Sequence, residues 1–105
     1  MNTTTRIFKG RSGWQMESAI ELADNRQLSV LTMKRHDGRL ITSASVGVHD
    51  NGFISHRVHQ DFSRRLIIES VRVTEKAVGT QHQQALNDID SLLTEITEFY
   101  ENETA

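Results

Sequence analysis

Cysteine and proline are both absent from the 105 residues, and the aromatics amount to one Trp, one Tyr and four Phe. Without cysteine there is no disulfide, no thiolate zinc site and no cysteine nucleophile, and a reducing, cytoplasmic setting is the expectation. Without proline there is no Pro-rich linker, so a single domain over residues 1–105 is expected. Long apolar runs are missing too. Nothing approaches the roughly 18 residues that a membrane span needs, and the opening Met1-Asn2-Thr3-Thr4-Thr5-Arg6 lacks the apolar segment of a signal peptide. No membrane association is expected.

Glycine is also sparse, and Gly10, Gly13, Gly38, Gly47, Gly52 and Gly79 fall in no dinucleotide-binding or phosphate-loop spacing. No serine sits in a Gly-x-Ser-x-Gly elbow. The expectation is a protein that is not an enzyme and carries no cofactor. The net charge of −2 hides an asymmetry: eleven Lys/Arg face seven Asp/Glu before residue 74, and Lys76 alone faces seven acids after it. A mildly basic front and an acidic tail do not make a strong polyanion binder.

What is present is strand alternation. In Trp14 to Leu22, residues Trp14, Met16, Ile20 and Leu22 share one parity while Gln15, Glu17 and Glu21 hold the other, which gives one buried and one wet face. Asp24-Asn25 then offers two residues tolerant of the left-handed turn region. Gln27 to Arg35 is a second long strand whose apolar parity switches between Val30 and Leu31, so it carries either a bulge or cover on both faces. Asp37-Gly38 predicts a two-residue type I′ hairpin into Leu40 to Val48, and Asp50-Asn51-Gly52 a further turn into Phe53 to His59. A short strand around Ile7 to Lys9 precedes them. Residues 61–73 read as a strand over 65–72, with a short helix opened by Asp61-Phe62-Ser63 as the alternative.

From Thr74 the period changes. Val78, His82, Ala85, Ile89, Leu92, Ile96 and Phe99 recur at spacings of four and three, with Thr74 as N-cap and Glu75 in the first turn. The fold class expected is α+β: a four- to five-stranded antiparallel meander over 1–73, then one long amphipathic helix over 74–101 packed on the sheet, and a frayed tail at 102–105. A 28-residue helix extends about 42 Å, farther than the sheet beneath it. Its distal stripe of Ile89, Leu92, Leu93, Ile96, Phe99 and Tyr100 is therefore the expected dimer or partner interface.

Five histidines raise the question of a metal or a catalytic base. His56 and His59 are the only close pair and fall on opposite faces of a strand, so no metal site is expected. His82 lies in the core stripe of the helix, where a packed, hydrogen-bonded role is the ordinary one. His59, Arg57 and Ser55 share one strand face without any feature that fixes their geometry. Two binding readings remain. The apolar Leu31, Met33 and Ile41, with Arg35, Arg39 and Ser43, form a mixed sheet face suited to a protein partner. With Arg57, His59 and Arg65 the same face is basic, and nucleic acid is the alternative ligand. Strands followed by one helix, with Phe53 and Trp14 available for stacking, resemble the layout of Whirly-type single-strand DNA binders, in which a basic sheet grips phosphates and aromatics stack on bases. The reading favoured is a small accessory or regulatory protein that binds protein, as a homodimer.

Overall fold

A computed structural model describes residues 3–50, 53–55 and 62–104. Among the described residues six antiparallel strands form one sheet: β1 (Thr3–Gly10), β2 (Gly13–Glu21), β3 (Arg26–Lys34), β4 (Leu40–Asp50), β5 (Phe53–Ser55) and β6 (Ser63–Glu69). The order is β1-β2-β3-β4, and β5 and β6 both line the outer edge of β4. Of the segment expected as a strand over Phe53 to His59, the part up to Ser55 is a strand, and His56, Arg57 and His59 lie outside the described residues. Residues 63–69 are a strand, which decides against the helical alternative.

The turns follow from residue chemistry. Asp24 and Asn25 take φ of 59° and 61°, and Arg26 N donates to Ala23 O at 3.4 Å, the left-handed pair that matches the twist of β2 and β3. The β3–β4 connection differs from the two-residue turn expected. Gly38 N donates to Arg35 O at 3.0 Å and Arg35 N to Arg39 O at 2.7 Å, so three residues make the loop. Only Gly38, at φ +87°, is left-handed there. Asp37 keeps ordinary φ because its carboxylate accepts from Arg39 N at 3.1 Å, a local bond that holds the turn. No bulge interrupts β3 against β4; the register shift falls between Thr42 and Ser43, where β4 meets β6.

Strand parity sorts the sheet into two faces. Ser18, Ile20, Leu28, Val30, Thr32, Leu40, Thr42, Ala44 and Val46 are buried on one of them, and register pairs them across the strands. Both helices lie over that face. The single long helix expected is instead two, α1 (Glu75–Asn87) and α2 (Ile89–Thr104). Thr74 caps α1, its hydroxyl accepting from Ala77 N at 3.1 Å. At Asp88 the backbone N–H bonds to Ala85 O at 3.3 Å, a tightened last turn that ends α1 before α2 begins. Asn87 and Asp88 are weak helix formers. The apolar stripe continues across the break, because Ala85, Leu92 and Ile96 are all buried. The tail expected to fray from residue 102 is helical to Thr104. Phe62 is buried and meets Phe99 edge-on at 5.6 Å between centroids.

Two glycines have opposite requirements. A Cβ at Gly38 meets nothing within 4 Å, but its φ of +87° is costly for an L side chain; Gly79 has equal space in ordinary helical backbone. Gly38→Ala is expected to lower stability by about 1 kcal/mol, and Gly79→Ala to raise it by about 0.5–1 kcal/mol. Urea denaturation midpoints of the two variants check both signs.

Candidate functional site

Two features stand out: a polar chain buried between α1 and the sheet, and the sheet face that neither helix covers.

The chain centres on His82, which is fully buried. Its Nε2 lies 2.8 Å from Ser18 Oγ and its Nδ1 2.8 Å from Thr32 Oγ1. Ser18 continues to Thr5 Oγ1 at 2.8 Å, and Thr32 to Thr42 Oγ1 at 2.7 Å. Gln81 Nε2 donates to Thr42 Oγ1 and to Leu40 O, both at 3.1 Å. Counting donors fixes the direction. Gln81 has spent both amide hydrogens, so Thr42 accepts from Gln81 and gives its own hydrogen to Thr32. Thr32 then donates to Nδ1, which places the imidazole proton on Nε2, donating to Ser18, and Ser18 donates to the exposed Thr5. This tautomer is assigned from the network. Every buried hydrogen of this network finds an acceptor, while Gln81 Oε1 meets no donor.

A Ser–His contact of this length invites a nucleophile reading, and the surroundings argue against it. Ser18 is fully buried, its oxygen is bonded on both sides, and a hydroxyl rather than a carboxylate backs the imidazole. Burial pushes the His82 pKa below its ordinary 6.5, so the imidazole stays neutral. A second proton would also force Thr32 to turn its hydrogen toward Thr42 and orphan the Thr42 hydroxyl. What this arrangement does is position α1. Among the described residues no group of three or more His, Asp or Glu is placed to hold a metal, and no helix is long and apolar enough to cross a membrane.

The uncovered face carries the other parity. Met33 pairs with Ile41 and Ile41 with Ile68, so three apolar side chains run side by side across β3, β4 and β6. The next row reads Arg65–Ser43–Leu31–Glu17–Arg6 from β6 to β1. Leu31, Met33, Ile41 and Ile68 are half-buried. Arg6 reaches Glu17 at 3.7 Å, while Arg65 is exposed and makes no ion pair among the described residues.

The residues singled out from sequence therefore separate. Leu31, Met33, Ile41, Ser43 and Arg65 come together on the open face. Arg35 and Arg39 sit instead at the β3–β4 loop, 3.5 and 3.9 Å from the Asp37 carboxylate. The Arg39 N–H, with both guanidinium groups nearby, holds that carboxyl below its usual range. Arg57 and His59 lie outside the described residues. On the other face, Leu92 and Ile96 are buried in the chain's own core, and Ile89, Leu93, Phe99 and Tyr100 pack half-buried against it. That stripe lies on the sheet rather than projecting beyond it. Trp14 shares the helix-covered parity, with the Lys9 ammonium 5.8 Å from its ring centre. A cleft of about 370 Å³ opens between the β2–β3 turn and α2, where the Arg26 guanidinium lies 3.9 Å over the Tyr100 ring. Asp24 and Glu101 on its rim oppose Arg26 in charge, so it selects no ligand charge.

Sequence reasoning missed Ser18, Thr32, Thr42 and Gln81 as a set. The available signal was three hydroxyls at inward parity on β2, β3 and β4, opposite a helical stripe that contains a histidine. Comparison with protein-family models, with curated proteins and with solved structures gives no match in any of the three.

Neutral burial of His82 sets a pH dependence. Below pH 6.5 the unfolded chain takes up a proton that the native chain refuses. Stability is therefore full above 6.5 and falls as pH drops from 6.5 toward the lowered native pKa, by at most about 1.4 kcal/mol per pH unit. Urea midpoints between pH 7.5 and 5.5 should show this slope in the wild type and a flatter one in His82→Gln. An equal slope in both would remove His82 as its source.

Proposed function

We propose that the chain is a small, non-enzymatic accessory or regulatory protein that acts by protein–protein binding, with the open face of its sheet as the binding surface. Self-association and a reducing, cytoplasmic setting, the latter resting on the cysteine-free composition, belong to the same proposal. The observation that carries it is the contiguous row of Met33, Ile41 and Ile68 beside Leu31 on a face that no described element covers. An apolar centre bordered by Arg65, Glu17 and small polar residues has the composition of an interface core with a polar rim. Support for binding over catalysis comes from the Ser18–His82 pair, which is sealed in the core.

Nucleic acid draws less support as the ligand. Arg35 and Arg39 are engaged with Asp37 at a loop, and Glu17 places a negative charge on the open face beside Leu31. A phosphate backbone crossing that face would meet Arg65 and Arg6 but also Glu17.

A photo-crosslinking residue placed at Ser43, on the open face, and separately at Gln83, exposed on α1, discriminates the readings in cells. Protein adducts that survive nuclease are expected from position 43 and not from position 83. Adducts to nucleic acid alone, or none at position 43, would overturn the proposal.

A further inference from the structure

The charge pattern of the open face names its occupant. Resting on the reading of that face as a protein-binding surface, we infer that the partner is a second copy of this chain, packed face to face about a two-fold axis that runs parallel to the strands between β3 and β4.

Two identical sheets packed face to face are related by an axis lying in the plane between them, and aligned sheets keep their strands within about 30° of each other. An axis along the strands preserves each cross-strand row and reverses its order. Set between β3 and β4, it exchanges β3 with the other copy's β4, and β2 with the other copy's β6. Applied to the row Arg65–Ser43–Leu31–Glu17–Arg6, it lays Leu31 over the second copy's Ser43 and Glu17 over the second copy's Arg65. Applied to the adjoining row, it lays Met33 over the second copy's Ile41. The result is an apolar centre of Leu31, Met33 and Ile41 from both copies, flanked on each side by one Glu17–Arg65 pair. Arg65, which makes no ion pair among the described residues, gains a carboxylate. Glu17, already beside Arg6 at 3.7 Å, completes an Arg–Glu–Arg row.

The same pattern disfavours the alternatives. An axis perpendicular to the strands and along this row would set Arg65 on Arg65 and Glu17 on Glu17. An axis along β3 itself would set Arg65 on Arg6. Of these three axes, the one between β3 and β4 brings opposite charges together while keeping the apolar residues in contact, and like charges juxtaposed at an interface are strongly discriminated against. Four strands about 4.8 Å apart, of seven to eleven residues, give a footprint of roughly 500 Å² per copy. That is below the ~800 Å² of a standard interface, so the dimer is expected to be reversible and concentration-dependent.

Sedimentation velocity over a concentration series of the full chain, with Glu17→Arg, Arg65→Glu and an equimolar mixture of the two, tests this. Each single variant pairs like with like twice in its own dimer, so each should weaken association by ~10-fold or more. Mixed, Glu17→Arg with Arg65→Glu restores an opposite pair on both sides, and heterodimers should form with near wild-type affinity. A wild type that stays monomeric, or a dimer that neither variant weakens, or variants that the mixture fails to rescue, would each overturn the inference. Failure here is separable from failure of the binding reading. A crosslink from position 43 to a different protein leaves that reading standing and removes the second copy, whereas a self-adduct near twice 12.0 kDa supports both.

Discussion

One imidazole fixes where α1 sits on the sheet. Hydrophobicity already favours one face, which carries Ile20, Leu28, Val30, Leu40, Ala44 and Val46 against Leu31, Met33 and Ile41 on the other, but it does not fix a helix to one position there. Ser18, Thr32 and Thr42 occupy one face only, where they are fully buried. Buried hydroxyls need partners, and α1 supplies them from two adjacent positions, His82 and Gln81. A helix shifted by one turn, or placed on the other face, would leave the whole row unsatisfied. A polar chain of this kind specifies position more than it adds stability, which suits a helix that has to find one site on a broad sheet.

The rest of the architecture follows from that placement. With α1 fixed over β2 to β4, α2 brings Leu92 and Ile96 down onto Ile20, Leu28, Val30 and Val46. Arg64 on β6 meets Glu95 on α2 at 3.1 Å, at a half-exposed site where an ion pair contributes little to stability. Two layers are complete. The opposite face, with Leu31, Met33 and Ile41, has had its helices claimed by the other side. A half-buried apolar row on a sheet face that neither helix covers is the ordinary starting point of a third layer, and the proposed function and partner both grow from that remainder.

Much of the fold was legible in the sequence because it depends on local patterning. Alternation located β2 to β4, Asp24-Asn25 located a left-handed turn, and Thr74 marked where the helix begins. The break at Asp88 was not legible, because helical periodicity reports which face is apolar and not whether the backbone is continuous. Asn87-Asp88 was the only hint. The turn at Asp37-Gly38 was found in place but differs in type, since the Asp37 carboxylate engages the Arg39 backbone and leaves the left-handed conformation to glycine alone. The candidate face was half legible. Parity grouped Leu31 and Met33 with Ile41, but it could not separate Arg65, on a strand, from Arg35 and Arg39, in a loop. The polar chain was the least legible part. Ser18 and Thr32 lie 64 and 50 residues from the histidine that joins them, and only strand register brings those positions together.

Two of the three methionines report on the two faces: Met16 has the helix-covered parity and Met33 the open one. The most direct test of the account is therefore the NMR spectrum of the methionine ε-methyl groups across a dilution series. The Met33 methyl is expected to shift with concentration while the Met16 methyl stays fixed. A concentration-dependent Met16 beside an unchanging Met33, or no response from either, would contradict the claim that the open face is where this protein meets its partner.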